Sequence, residues 1–191
     1  MSTPRKVAVV VGSLRKASLN RRMANVLIAM APPPLELAIV EIAALPLYNE
    51  EWDRDAPPAV QEFRQLVAAA DAVLFVTPEY NRSVPGALKN AIDVGSRPSG
   101  KSVWSGKPGA VISVSPGALG GFGANHHLRQ SMACLDVPML QQPEMYIGLA
   151  AALFDDSGAL INDAMRARLA KFLQAFARWV ERTAPRPSSP G

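Results

Sequence analysis

Along the chain, short uninterrupted apolar runs alternate with longer stretches whose apolar residues recur every three or four positions. Val7 to Val11 is the first such run, bounded by Lys6 and Gly12, and a run without a polar face is the pattern of a strand buried on both sides. From Asn20 to Ala31, Met23, Leu27 and Met30 fall at helical spacing, and Pro32-Pro33-Pro34 stops the helix. Leu37 to Ile42 reads as a second strand. After an acidic loop, Pro58 to Ala70 reads as a helix with Val60, Phe63, Leu66 and Val67 on one face, and its proline pair suits a first turn.

Ala72 to Thr77 is the clearest strand and ends at Pro78-Glu79-Tyr80-Asn81. Ser83 then reads as an N-cap, with Pro85 in the first turn of a helix reaching Gly95. Ser96 to Pro108 is a loop, Ala110 to Val114 a fourth strand, Pro116 to Gly123 a glycine-rich loop and Asn125 to Leu135 a helix. Val137 to Leu140 is expected as a short fifth strand. Asp163 to Arg182 is a closing helix with Met165, Leu169, Phe172, Phe176 and Trp179 or Val180 turned inward. The Pro/Ser-rich tail, 184 to 191, is expected to be disordered.

Strands buried on both faces, alternating with helices, predict an α/β chain: a three-layer doubly wound domain over residues 1 to 183 around a five-stranded parallel sheet. Ligands of such sheets bind outside the carboxyl ends of the strands, where strand order reverses. The loops after strands one, three and four are therefore the places to search.

Composition narrows the function classes. The chain has 191 residues, 49% hydrophobic and 19% charged, with a single cysteine, Cys134, which excludes a disulfide framework and a Cys-rich metal site and fits a reducing cytoplasm. Cys134 itself reads as a buried small hydrophobe. No window approaches the roughly 20 apolar residues that span a bilayer, and Val7 to Val11 is too short for a signal-peptide core. A cytoplasmic protein without membrane contact is expected. The formal charge of +4 is uneven: residues 1 to 35 carry +6, 36 to 79 carry −7, 80 to 163 balance and 164 to 191 carry +5. A bulk polyanion would meet the acidic segment as well, so nucleic acid is not the expected partner. Arg166, Arg168, Lys171, Arg178 and Arg182 read as the solvated face of the last helix.

The first loop, Gly12 to Asn20, matches neither the dinucleotide fingerprint nor the P-loop. It offers the Ser13 and Ser18 hydroxyls, Asn20, the Arg15 guanidinium and free N–H groups at a helix start, a set suited to one terminal phosphate. The plain structural alternative is that Ser18 or Asn20 merely caps the helix. The second loop, Pro78 to Gly86, is rigid at both ends and polar between, suited to holding backbone donors and acceptors along the edge of a flat heterocycle, with Tyr80 to stack on it or wall its edge; the plain structural alternative is a proline-started turn with a Ser83 cap. Glu79 has no His or second carboxylate close in sequence to make a catalytic pair. The third loop, Ser115 to Gly123, has four glycines that permit close approach to a ligand. His126 and His127 are adjacent on a helix and point in different directions, which suits surface or interface residues better than one metal site.

Gly12-Ser13-Leu14-Arg15 with Ser18 and Asn20, then Pro78-Glu79-Tyr80-Asn81 with Ser83-Val84-Pro85-Gly86 and Leu88-Lys89-Asn90-Ala91-Ile92-Asp93, then Ser115, Gly117 and Gly120-Gly121, follow one another in this order. Together they resemble the NADPH-dependent FMN reductase family of quinone, chromate and azo-dye reductases, over residues 6 to 150. The resemblance implies a flavodoxin-like sheet of order 2-1-3-4-5. It implies FMN with its phosphate on Ser13, Arg15, Ser18 and Asn20, Leu19 also among the cofactor-binding residues, its ring against Pro78, Glu79, Tyr80, Asn81 and Ser83, and its far side lined by Ser115, Pro116 and Gly117. It further implies a ping-pong reaction in which NADPH or NADH gives hydride to the flavin and a small-molecule acceptor then collects two electrons, with no side chain required as acid or base. Homodimers or homotetramers are expected from it. Relatives usually carry an aromatic where this chain has Val94, and some carry Arg and Tyr where it has Gly123 and His126, residues that join subunits together with a Glu matching Glu144. An electron carrier of flavodoxin type is the alternative, although carriers are strongly acidic and this chain is basic. A cofactor-free signalling domain of the same fold lacks its acidic cluster here, because strand one ends in Val11-Gly12-Ser13.

Overall fold

The computed structural model describes residues 3–184. Five strands, β1 (Arg5–Val11), β2 (Leu35–Val40), β3 (Ala72–Thr77), β4 (Gly109–Val114) and β5 (Met145–Ile147), form one sheet of order β2-β1-β3-β4-β5. Every pairing is parallel; at the centre Val9 lies between Ile39 of β2 and Leu74 of β3. The expected doubly wound sheet and its strand order are therefore present.

Side chains alternate across a strand, so one sheet builds two cores. Val7, Val9, Val11, Leu74, Val76, Ile112 and Val114 face α1 (Leu19–Ala29) and α5 (Asp163–Thr183), meeting Met23, Leu27, Leu169, Phe172 and Phe176. Ala8, Val10, Val73, Phe75 and Val111 face α2 (Pro58–Ala68), α3 (Gly86–Gly95) and α4 (Phe122–Cys134). Each large apolar side chain buried this way contributes about 1.5–3 kcal/mol, which is why Ala72 to Val76 in β3 reads as an unbroken apolar run and β4 is apolar but for Ser113. Trp104, in a stretch otherwise without regular structure, is fully buried in the second core. Its ring lies 6.1 Å from Phe63 and 5.8 Å from Phe75, and its indole N–H donates to Ile92 O at 2.9 Å.

Several expected boundaries move, for physical reasons. The fifth strand is Met145–Ile147, whereas Val137 to Leu140 makes only one bridge, Gly109 to Met139. Pro138 has no N–H for a ladder, and Pro143 delays the return to the sheet. Ser83 does not cap α3; a tight turn over Tyr80–Ser83 consumes it, and Pro85 stands at the helix start instead. α4 begins at Phe122, three residues before the expected Asn125, and β2 ends at Val40 rather than Ile42. Leu66 and Cys134, expected in the core, are exposed. The basic residues of α5 are exposed as expected, Val180 is the buried one of the Trp179/Val180 pair, and Ala184 is buried. The remainder of the tail lies outside the described residues. Among the described residues no helix is long and apolar enough to cross a membrane.

Candidate functional site

β1, β3 and β4 run side by side in the sheet, so the loops at their carboxyl ends converge. Leaving β1, Gly12 donates to Val76 O, the last sheet bond of that strand. Among the described residues the main-chain N–H groups of Ser13 through Ala17 then meet no protein acceptor. Ser18 is the N-cap of α1, its hydroxyl accepting from the amides of Asn20 (3.2 Å) and Arg21 (3.3 Å). The structural alternative for Ser18 thus holds alongside its place in the cleft. Asn20 is buried and donates to Val114 O at 3.2 Å, which ties α1 to the end of β4, while its Oδ1 is buried without a partner. Arg15 is exposed and pairs with no acid among the described residues.

The second loop is a two-residue turn. Tyr80 and Ser83 exchange backbone hydrogen bonds of 3.1 and 2.9 Å, and Asn81 and Arg82 between them have φ of +50° and +65°. Left-handed backbone at both central positions is the type I′ turn, which favours Asn followed by Gly. Asn81 suits its position, but Arg82 sits where a non-glycine residue costs of the order of 1 kcal/mol or more. Glu79, just before the turn, is not directed at a catalytic partner. Its Oε2 accepts the Ala124 N–H at 3.1 Å, and its Oε1 lies 3.3 Å from the Arg82 guanidinium. Glu79 therefore caps α4, whose own N-cap residue is Gly121 with no side-chain cap. The close fit requires Gly123: a Cβ there would stand 2.7 Å from Arg82 O and 2.9 Å from Glu79 Oε2.

The third loop is held to the β5 side of the sheet. Ser115 N donates to Ile147 O, Ala150 N to Ser115 O and Leu149 N to Gly117 O, while Gly117 N donates to Ser115 Oγ at 3.1 Å. Beneath it, the buried Asn125 donates to Ser113 Oγ at 3.2 Å and accepts from Arg129 Nε at 3.1 Å.

These loops enclose a cleft of about 490 Å³ lined by Ser13, Arg15, Ser18, Leu19, Asn20, Pro78, Glu79, Tyr80, Ser115 and Pro116, together with Ala17, Arg22 and Val114. Asn81, Ser83 and Gly117 lie outside that lining. The Ser83 hydroxyl instead faces α4, 2.9 Å from His127 Nδ1, in a separate groove that also includes Cys134. Sequence reasoning missed Arg22; it stands one turn after Ser18, and that helical spacing was the available signal. One end of the cleft thus holds N–H donors that meet no protein acceptor and two guanidinium groups, Arg15 and Arg22, that pair with no acid among the described residues, the electrostatics of a phosphate site. The partnerless Asn20 Oδ1 accepts rather than donates, so it suits a hydroxyl group next to the phosphate better than the phosphate itself. The other end lies between Pro78–Tyr80 and Ser115–Pro116. Such a cleft fits a phosphorylated polyhydroxy chain carrying a planar ring.

The two histidines diverge as expected. His126 lies against Phe122 with ring centroids 4.2 Å apart, and its Nε2 is 3.1 Å from the Tyr146 hydroxyl. Burial, reinforced by the neighbouring Glu144 carboxylate, pushes the Tyr146 phenol above its ordinary range. The Gly123 contact leaves no room for a larger side chain in this arrangement.

The sequence profile described as NADPH-dependent FMN reductase matches residues 5–152. A quinone reductase of Pseudomonas putida is 63% identical over 182 residues, covering 95% of this chain and 97% of the relative. A 2-hydroxy-1,4-benzoquinone reductase of a Burkholderia species is 47% identical over 175 residues, covering 92% and 96%. Among solved structures, the flavoenzyme NAD(P)H:(acceptor) oxidoreductase FerB of Paracoccus denitrificans superimposes with a TM-score of 0.89 at 40% identity, covering 95% of this chain and all of that one. The likeness runs through the three loops that build the cleft, and by it the chain belongs to the NADPH-dependent FMN reductase family.

Proposed function

We propose that the protein is an FMN-dependent NAD(P)H:acceptor oxidoreductase that reduces quinones or similar two-electron acceptors such as azo dyes, chromate or free flavin. The observation that carries this reading is the cleft itself, with unpaired donors at one end and a proline-walled slot at the other. Bound there, FMN supplies hydride acceptance from NADPH or NADH and two-electron delivery to the acceptor. The protein's part is binding and orientation. Ser13, Arg15, Ser18 and the open amides after β1 hold the phosphate, with Arg22 as a further cation. Leu19 and Asn20 line the adjoining chain, and Asn20 Oδ1 receives one of its hydroxyls. Pro78, Glu79 and Tyr80 border the ring on one side, and Ser115 and Pro116 on the other; Asn81 and Gly117 belong to the same loops outside that lining, and Ser83 is turned to the α4 groove. No acid–base residue is assigned, because the Glu79 carboxylate is engaged by Ala124 N–H and Arg82.

The names of the relatives favour a reductase over a single-electron carrier. The expected setting is the cytoplasm, as a homodimer or homotetramer without nucleic-acid or membrane partners. Steady-state turnover tests the assignment: with FMN-loaded protein, NADPH oxidation by a benzoquinone should give parallel double-reciprocal lines as the quinone is varied. Absence of quinone-dependent NAD(P)H oxidation by flavin-loaded protein would contradict it.

A further inference from the structure

Arg82 is the third residue of the tight turn Tyr80–Ser83 and holds φ +65°. That is the position at which glycine would release the backbone from strain. Its side chain is 72% exposed, and its one hydrogen-bonded ion pair among the described residues is with Glu79 Oε1 at 3.3 Å. An ion pair this exposed adds little to stability. Glu79 does not depend on it, since its side chain is only 12% exposed and its other oxygen already accepts the Ala124 N–H at the start of α4. Neither the backbone nor the ion pair therefore accounts for an arginine by stability, and a residue held against its preference beside a cleft points to use.

What the position does supply is an exposed guanidinium 3.3 Å from the carboxylate of Glu79, a residue of the cleft lining. Glu79 and Tyr80, three and two residues before it, line that cleft. Arg15 and Arg22 stand at the other end, where the phosphate donors are. Arg82 is tethered by a solvent-exposed contact, so it can exchange Glu79 for another anion without stripping α4 of its cap.

We propose that Arg82 is a docking cation for a phosphate of the dinucleotide hydride donor, exchanging the Glu79 carboxylate for phosphate oxygens while NAD(P)H is bound. A planar guanidinium matches phosphate geometry and remains charged at every working pH. The inference rests on the reading of the cleft as the NAD(P)H-oxidising flavin site and goes further by naming the residue that recognises the donor.

The test uses Arg82→Gly, which relieves the turn, with three donors: NADPH, NADH and the phosphate-free N-benzyl-1,4-dihydronicotinamide. Flavin absorbance of each preparation is recorded first. The expected result is an unchanged or higher unfolding midpoint, KM for a dinucleotide raised about fivefold, the upper end for an exposed charge pair, and kcat little altered. KM for the phosphate-free donor should not move, and Arg82→Lys should recover part of the loss. A rise for NADPH alone assigns the contact to the 2′-phosphate, and a rise for both dinucleotides assigns it to the pyrophosphate. Unchanged dinucleotide KM, an equal rise with the phosphate-free donor, or a sharp fall in unfolding midpoint overturns the proposal. Wild-type protein that takes up no flavin would instead overturn the parent reading.

Discussion

Glu79 Oε2 accepts the main-chain N–H of Ala124 at 3.1 Å, so the residue that follows β3 by two positions caps a helix 45 residues further on. The bond locks the second loop of the cleft to the helix that follows the third. Gly123→Ala would put a Cβ 2.7 Å from Arg82 O and 2.9 Å from the carboxylate. The variant should lose about 1–3 kcal/mol, as overpacked sites do, and bind FMN more weakly. Urea unfolding with and without FMN checks it; wild-type behaviour in both would show that the contact yields easily.

Arg15→Ala should separate phosphate from ring recognition. Hydrogen bonds to charged groups contribute about 1.5–3 kcal/mol, so FMN affinity should fall by roughly one to two orders of magnitude. Riboflavin, which has no phosphate, should bind nearly as before. Flavin fluorescence quenching measures both, and an equal loss for the two ligands would refute the phosphate assignment.

Trp104→Ala should be among the most destabilising single changes, by about 3–5 kcal/mol. The indole fills the second core between Phe63 and Phe75 and satisfies Ile92 O. A change under 1 kcal/mol by urea unfolding would mean that the space collapses around the loss.

Lys107 gives a pH-dependent term. Burial lowers its pKa, Asp71 partly opposing, while its ammonium donates to Ala70 O. Between the lowered folded value and the ordinary 10.5, the unfolded chain still holds a proton that the folded chain has released. Stability from this group therefore rises with pH across that window, and below it the penalty is present in full. Lys107→Met should lack the rise. Urea midpoints across the alkaline range test this, and parallel profiles for variant and wild type would contradict it.

Much of the fold was legible because β1, β3 and β4 are buried on both faces and show it as nearly continuous apolar runs, broken in β4 by Ser113. The short β5 was misplaced because Val137–Leu140 looks more strand-like than Met145–Ile147, and only the prolines around it tell against it. Ser83 read as a helix cap because its type allows it, but the turn that claims it depends on left-handed backbone at Asn81 and Arg82, which an arginine does not advertise. The three-loop cleft followed from topology and residue type together. The Glu79 cap was invisible, since nothing in the sequence links it to Ala124, and Trp104 was hidden in a stretch rich in Gly, Ser and Pro.

The central claim is that the cleft holds an FMN that NAD(P)H reduces directly. An anaerobic titration of the FMN-loaded protein with NADPH or NADH, followed by its visible spectrum, tests it most directly. The account predicts a bound yellow flavin that bleaches fully with one equivalent of donor and recovers its colour when a quinone is added. A protein that binds no added FMN, or one whose bound flavin neither donor bleaches, would contradict it.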